Sequence, residues 1–122
     1  RILLKPIRKR TILDWALLSL LDNGPEAFVG EKATVSGFVY RDEGFEEDRF
    51  MVSRFVVTCC AADALPVGLY VSWPESRTLA EDQWVEISGQ FELRGIDGKQ
   101  IPVLMAETVT LIDIPDQPYL YP

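Results

Sequence analysis

The chain has 122 residues, which is enough for one domain and leaves little room for a second. It is 48% hydrophobic and 25% charged, a composition that favours a folded globular domain over a disordered one. Its charge is uneven, because residues 1–10 hold five of the 12 bases and none of the 19 acids. The remaining residues hold 19 acids against 7 bases, a net charge of −12 that repels nucleic-acid phosphates. We therefore do not expect nucleic acid as a partner.

Residues 1–10 predict a basic tether. No apolar run reaches the roughly 18 residues that a membrane-spanning helix needs, and no signal peptide is visible. Because the first residue is arginine rather than methionine, we expect a domain excised from a longer chain. The alternative interpretation of this segment is a position beside a membrane, where bases are drawn to anionic headgroups.

Residues 11–30 predict an N-terminal helix and its connection to the next element. Thr11 is suited to cap the helix, and Asp14 favours the N-terminal end of the helix dipole. Asn23, Gly24 and Pro25 would end the helix. The helical spacing predicts one apolar face, with Trp15 and Leu18 near its edges; its members are Leu13, Ala16, Leu17, Leu20 and Leu21.

Residues 31–114 predict a mainly β fold, a five-stranded Greek-key barrel of the OB (oligonucleotide/oligosaccharide-binding) type. The period-two patterns favour strands at residues 33–41, 51–60, 66–73, 84–93 and 101–112. Gly37 suggests a bend in the first strand, and Asp97-Gly98 predicts a tight hairpin. Five strands with a short helical segment after the third match an OB barrel better than an immunoglobulin sandwich of about seven. An SH3-like barrel is the competing interpretation, and residues 115–122 predict an extended tail.

The alternation also assigns side chains to the core. In the second strand it places Phe55, Val57 and Cys59 inside, with Cys60 on the outer face. The complete predicted core is Val35, Val39, Phe55, Val57, Cys59, Leu69, Val71, Val85, Ile87, Phe91, Val103 and Met105.

The adjacent cysteines, Cys59 and Cys60, are the most unusual feature of the sequence. Histidine is absent, which removes the usual general base and the commonest metal ligand. A metal site is possible at Cys59, Cys60 and Asp63 only if the strand ends in a turn there. The simpler interpretation is that Cys59 is a small buried hydrophobic residue and Cys60 a half-buried thiol. No particular cofactor is indicated.

Three aromatic residues, Phe38, Tyr40 and Tyr70, are expected to face outward from the first three strands. On an OB barrel this face can stack ligands, so we predict a ligand-binding role for these rings together with Cys60 and Asp63. The favoured interpretation, however, is that the N-terminal helix or residues 119–121 cover them, because the apolar helix must be buried somewhere. No catalytic motif occurs, so we predict no catalytic residues and no enzymatic activity.

Several segments resemble the YcgQ-like family of permease subunits, in its C-terminal domain of unknown function. They are Gly37-Phe-Val-Tyr-Arg41, Arg54-Phe-Val-Val-Thr-Cys-Cys-Ala-Ala-Asp-Ala64, Pro66-Val-Gly-Leu69, Trp84-Val85 and Pro118-Tyr-Leu-Tyr-Pro122. The resemblance runs from about Leu13 to the end of the chain.

The resemblance implies a soluble interaction or regulatory domain of a membrane permease component. It implies a permease partner protein, and membrane association through N-terminal segments that this sequence lacks. The bases of residues 1–10 favour the cytoplasmic side. The alternative function is an OB-type module that senses a metal ion or a small polar ligand near Cys59 and Cys60.

Overall fold

Strands are the main secondary structure of the chain, as the period-two patterns predict. A computed structural model describes residues 10–18, 24–59 and 61–121. Short 3-10 helices within these residues span Gly24–Phe28, Ala61–Asp63 and Ser76–Thr78. The main elements are helix α1 (Ile12–Leu18) and strands β1 (Lys32–Tyr40), β2 (Arg49–Val56), β3 (Leu65–Ser72), β4 (Trp84–Ile96) and β5 (Lys99–Leu111).

The five strands form one sheet that closes into a ring in the order β1-β2-β3-β5-β4. All neighbours are antiparallel except β3 and β5, which are parallel. Strand β1 pairs with β4 as far as Phe38 and with β2 from Phe38 onward. A Cβ on Gly37 would lie 2.4 Å from the Ser53 carbonyl oxygen, so only glycine allows the close approach at this change of partner. The structure confirms the prediction of a mainly β fold with five strands and an N-terminal helix.

The β4–β5 hairpin turns where the sequence predicts it. Asp97 and Gly98 both have positive φ, 51° and 80°. Two consecutive residues with positive φ define the turn that matches the twist of the flanking strands. The prediction from Asp97-Gly98 is confirmed.

Helix α1 begins as predicted but buries a different face. The Thr11 N–H donates to Asp14 Oδ2 at 2.9 Å, and the Asp14 N–H donates to Thr11 Oγ1 at 3.3 Å. This reciprocal pair satisfies two N–H groups at the helix start. Ile12, Trp15 and Leu18 are buried, whereas Leu17 is 36% exposed. The predicted face was therefore wrong: nearly every residue of the helix is apolar, so spacing alone left the buried side open, and the large Trp15 ring occupies the core. Leu20 and Leu21 lie outside the described residues.

Strand β2 has the opposite facing to the prediction. Phe50, Val52 and Val56 are buried in the ring, and Phe55 is 38% exposed. The strand ends at Val56, so Cys59 is an exposed loop residue rather than a core residue. In strand β5, Leu104 enters the core in place of Met105, which is only half-buried. The other predicted core residues are buried as expected; they are Val35, Val39, Val57, Leu69, Val71, Val85, Ile87, Phe91 and Val103.

The C-terminal tail lies along the end of β2. Leu120 forms a parallel bridge with Val56. Its N–H donates to the Phe55 carbonyl, and its carbonyl accepts from the Val57 N–H, both at 2.9 Å. Leu120 also packs against the core, so the tail completes the ring where β1 and β2 separate. No helix among the described residues has the length and apolar character needed to cross a membrane.

Candidate aromatic binding face

The outer surface of β1, β2 and β3 carries a set of apolar side chains, here called the aromatic face. Cross-strand pairing fixes its rows, because Tyr40 lies opposite Met51 and Phe55 lies opposite Pro66. Phe38 lies opposite Ser53, on the row between them. The aromatic face comprises Phe38, Tyr40, Met51, Phe55 and Pro66.

The centre of the aromatic face is a stacked pair of rings. The centroids of Phe38 and Phe55 are 5.5 Å apart, with an interplanar angle of 26°. Trp84 packs on the other side of Phe38, at 5.9 Å between centroids. Trp84 is 9% exposed, whereas Phe55 keeps 38% of its surface exposed. Trp84 of β4 therefore supports the pair by packing against Phe38, and the Phe55 ring is exposed to solvent.

A groove lies on each side of this ring pair. The strand groove, of about 410 Å³, runs over β2 and β3. Its floor is low because Gly68 has no side chain, and a Cβ there would lie 2.7 Å from Ser53 Oγ. The strand groove is lined by Phe38, Tyr40, Met51, Ser53, Phe55, Pro66, Val67 and Gly68.

The tail groove, of about 360 Å³, lies between the ring pair and the C-terminal tail. Its lining combines rings from three strands with residues of the tail and one acid, and consists of Phe38, Phe55, Asp82, Trp84, Ile114, Pro118 and Tyr119. Neither groove has a lining residue from helix α1. The tail flanks Phe38, but in the part of the chain that the structure describes neither the tail nor helix α1 covers the aromatic face.

Arg54 fixes the tail beside this groove. Its Nε donates to the Pro118 carbonyl at 3.2 Å, its Nη2 donates to the Gln117 carbonyl at 2.7 Å, and its Nη1 lies 3.4 Å from Ser36 Oγ. The guanidinium carbon also lies 5.3 Å from the centroid of the Trp84 ring. Arg54 is 8% exposed, and burial lowers the pKa of its guanidinium below the ordinary value. All three guanidinium nitrogens of Arg54 therefore make contacts within the chain.

Two further polar contacts lie at the end of β1, next to the strand groove. The Tyr40 hydroxyl donates to Asp42 Oδ1 at 2.5 Å. This hydrogen bond, followed by the negative charge of Asp42, raises the pKa of Tyr40 above 10.0. Next in the chain, Arg41 donates through Nη2 to the carbonyls of Ser76 and Leu79, which joins the end of β1 to the β3–β4 connection.

Tyr70 lies opposite Met51, on the same row as Tyr40, but its ring lines a different cavity. Tyr70 packs against Phe45 at 5.6 Å between centroids and lines a cavity of about 820 Å³ with the acidic β1–β2 loop and the β4–β5 turn. Phe38 and Tyr40, in contrast, share the strand groove. The predicted ligand-binding set is therefore divided between two places.

The predicted metal ligands are brought together only in part. Cys59 and Asp63 are both exposed, and the Cys59 thiol donates to Asp63 Oδ2. The strand ends before them, as chelation would require, but Cys60 lies outside the described residues. Among the residues that the structure describes, no group of three or more His, Cys, Asp or Glu side chains is placed to hold a metal ion.

Sequence reasoning missed Phe55, Trp84 and Arg54 as members of the site. Phe55 was assigned to the core because the facing of β2 was reversed. The alternation places Trp84 on the outer face of β4. It does not show that Trp84 lies beside Phe38, because that contact joins two strands that are far apart in the sequence. The one signal in the sequence was that the segments carrying the family resemblance contain all three residues, and the fold brings those segments to one surface.

The chain is a mainly β domain, in which five strands close in a ring beside one helix, and its outer surface carries an exposed aromatic face. The chain belongs to the family described as the DUF1980 C-terminal domain, which matches residues 14–122, and the function of that domain is unknown. It is similar to the UPF0703 protein YcgQ of Bacillus subtilis (strain 168), with 29% identity over 101 residues. The alignment covers 81% of this chain and 35% of that protein, so the chain spans about a third of its relative. The predicted YcgQ-like membership is confirmed.

Two solved structures are similar in outline. One is the dimeric N-terminal domain of PriB from Thermoanaerobacter tencongensis, with a TM-score of 0.43, 18% identity, and coverage of 67% of this chain and 96% of that chain. The other is a DUF3299 family protein from Pseudomonas aeruginosa PAO1, with a TM-score of 0.44, 19% identity, and coverage of 71% and 64%.

Proposed function

We propose that this chain is the interaction domain of a membrane permease component, and that its aromatic face binds a partner protein. One observation carries the proposal: the Phe38–Phe55 ring pair stands between two grooves, with Phe55 38% exposed. Exposed apolar patches with a polar surround mark interaction sites, and aromatic anchors supply much of the energy of protein interfaces.

We further infer that the closed ring is an OB-type Greek-key barrel. The strand order β1-β2-β3-β5-β4 and the parallel β3–β5 pair support this assignment. OB barrels bind ligands on the face of strands 2 and 3 and at the loops next to it. The aromatic face lies on these strands and on the adjoining β1, which supports its use as the binding surface.

A protein partner fits this face better than nucleic acid does. The chain carries a formal charge of −7, and its bases are concentrated in residues 1–10. The described grooves add Asp82 as their only charged lining residue. Single-stranded nucleic acid needs a positive groove beside the stacking rings.

We also propose binding rather than catalysis, because the sequence has no histidine and no catalytic motif.

We infer that the domain works attached to a membrane on its cytoplasmic side. The five bases of residues 1–10 support this position, because anionic headgroups attract them. The acidic remainder of the chain is repelled by the same headgroups, which leaves the aromatic face available to a partner. Protease treatment of intact and opened cells tests the placement of the full-length protein. Digestion from outside intact cells would contradict it.

The partner proposal is tested by photocrosslinking in cells that express the full-length protein. A photoreactive phenylalanine analogue replaces Phe55, and in a matched control it replaces Glu107, an exposed residue of β5 outside both grooves. We expect position 55 to crosslink one membrane protein and position 107 not to crosslink it. Equal products from both positions, or none from position 55, would refute the proposed face.

A second candidate function is sensing of a metal ion or small polar ligand at Cys59, Cys60 and Asp63. The contact between the Cys59 thiol and Asp63 favours it. A structural zinc ion uses four protein ligands, so two described groups would need further donors. Metal analysis of protein purified with a reductant tests this candidate. Protein that contains no bound metal, and takes up none when zinc is added, would rule out the metal role.

A further inference from the structure

The walls of the tail groove are unusually rich in aromatic rings. Phe38, Phe55, Trp84 and Tyr119 all line it. Aromatic faces attract cations through the ring quadrupole, and clusters of such rings bind ammonium groups. The Trp84 ring already contacts the Arg54 guanidinium, 5.3 Å from its centroid, so Phe38, Phe55 and Tyr119 are the rings left for an incoming cation. The chemistry of the walls therefore suits a positive head group on an apolar stem.

The charge available in the tail groove is negative. Asp82 is its only acidic or basic lining residue, and it is exposed. Within the described chain, Asp82 forms no ion pair. Its position is fixed by the backbone, since its N–H donates to the Val39 carbonyl at 2.9 Å and its φ is 68°. The Arg54 guanidinium keeps its positive charge beside the Trp84 ring, so we expect an incoming cation at the exposed Asp82 carboxylate rather than over Trp84.

We propose that the tail groove binds a lysine or arginine side chain of the partner, with the alkyl stem against Phe38 and Phe55 and the cation beside Asp82. This proposal rests on the proposed function, because it names the chemistry of the partner at the aromatic face. The volume of about 360 Å³ is within the range of small-ligand sites. The acidic balance of the chain outside residues 1–10 supports a basic partner segment.

The strand groove supplies the second half of this recognition. It shares the Phe38–Phe55 pair with the tail groove and has no charged lining residue. A basic residue in the tail groove would therefore place its chain neighbours over an apolar surface. The partner segment that fits both grooves has a lysine or arginine close to an apolar side chain.

The cation site is tested with small probes on the 122-residue chain. Nitrogen-edited NMR follows the indole N–H of Trp84 during addition of N-acetyl-lysine methylamide, N-acetyl-arginine methylamide or N-acetyl-norleucine methylamide. The norleucine probe matches the lysine stem without its charge. We expect the two cationic probes to shift the Trp84 resonance with dissociation constants in the millimolar range. The norleucine probe should bind at least about fivefold more weakly than the lysine probe. Comparison of the two cationic probes distinguishes lysine from arginine as the preferred residue.

Three variants complete the test. Asp82→Asn keeps a side chain that tolerates positive φ, and should weaken the cationic probes about fivefold while leaving norleucine unchanged. Phe55→Leu should weaken all three probes. Glu107→Gln removes an acid outside the groove and should change nothing. Equal binding of norleucine and lysine, or no effect of Asp82→Asn, would overturn the cation site.

The same variants distinguish failure of this proposal from failure of the proposed function. If Asp82→Asn has no effect on the probes but position 55 still crosslinks its partner, the cation site is wrong and the aromatic face remains. If the probes bind as expected and position 55 crosslinks nothing, the partner proposal is wrong instead.

Discussion

The domain contains two aromatic clusters that are similar in geometry and different in what covers them. In the inner cluster, Trp15, Phe28 and Phe91 have centroids 4.9 to 5.8 Å apart and are at most 1% exposed. In the outer cluster, the centroids of Phe55 and Trp84 lie 5.5 and 5.9 Å from that of Phe38. There Phe55 remains 38% exposed. Ring geometry alone therefore does not separate a core from a binding surface.

The elements around each cluster explain the difference. Helix α1 and the segment Gly24–Phe28 cover the inner rings, so those rings join the core of the strand ring. The outer rings stand on the other side of the sheet, where, of the described residues outside the strands, the tail and Asp82 line the groove beside them. The inner cluster should therefore contribute mainly to stability, and the outer cluster mainly to binding.

The largest effect is expected in the inner cluster. Trp15→Ala removes a side chain with 0% exposure and leaves a cavity, so the free energy of unfolding should fall by about 3–5 kcal/mol. Trp15→Phe should cost less, because the buried indole Nε1 has no hydrogen-bond partner among the described residues. Urea unfolding measures both, with Leu17→Ala as the exposed control, expected below about 1 kcal/mol. A loss from Trp15→Ala no larger than that from Leu17→Ala would refute the assignment.

A smaller effect is expected where the tail meets the outer cluster. Arg54→Met leaves the carbonyls of Gln117 and Pro118 without their donor and should lower the free energy of unfolding by about 2 kcal/mol. The amide of Leu120, bonded to the Phe55 carbonyl, should exchange with deuterium faster. Arg94→Met is the matched control, because Arg94 forms an exposed ion pair with Glu92 worth less than about 1 kcal/mol. Unchanged exchange at Leu120 would show that Arg54 does not hold the tail.

The sequence predicts the elements of this fold better than it predicts their facing. The cap at Thr11 and the turn at Asp97-Gly98 depend on neighbouring residues, and both were confirmed. In β2, either the odd-numbered or the even-numbered residues face the core. Both sets contain apolar residues, so the sequence pattern does not decide between them. Phe50 and Phe55 have opposite parity, and only the packing of the ring decides that Phe50 is inside.

The sequence predicts only those site residues that lie together on a single strand. Phe38 and Tyr40 are two residues apart on β1, so alternation places them on one face. Phe55, Trp84 and Pro118 join them through contacts between distant segments, which a single sequence does not specify. Tyr70 has the same outward parity as Phe38, yet Phe45 packs against it. Loops that cover a strand are invisible to a period-two argument.

A matched pair of truncations compares the two clusters directly. Phe28→Ala should lower the free energy of unfolding by about 3 kcal/mol or more, since Phe28 is 1% exposed. Phe55→Ala should lower it by only about 1 kcal/mol, because the solvent-facing ring loses mainly its stacking on Phe38. Urea unfolding of both variants gives the comparison. Equal losses would mean that the outer cluster is a structural core, which would remove the main support for the proposed binding face.

The smallest effect concerns Tyr40, at the solvent-exposed end of the strand groove. Its hydrogen bond to Asp42, followed by the charge of that carboxylate, raises the pKa of Tyr40 above 10.0. A pKa raised in the folded state stabilises the fold fully below the unfolded value of 10.0, and this contribution is lost as the pH rises through the folded pKa. Difference absorbance of the phenolate, between wild type and Tyr40→Phe, should therefore show titration above pH 10.0. Asp42→Asn removes the charge and keeps an acceptor, so Tyr40 should then titrate at a lower pH. A Tyr40 titration that does not change in Asp42→Asn would show that the hydrogen bond does not persist in solution, and that this end of the groove is free to take another acceptor or donor.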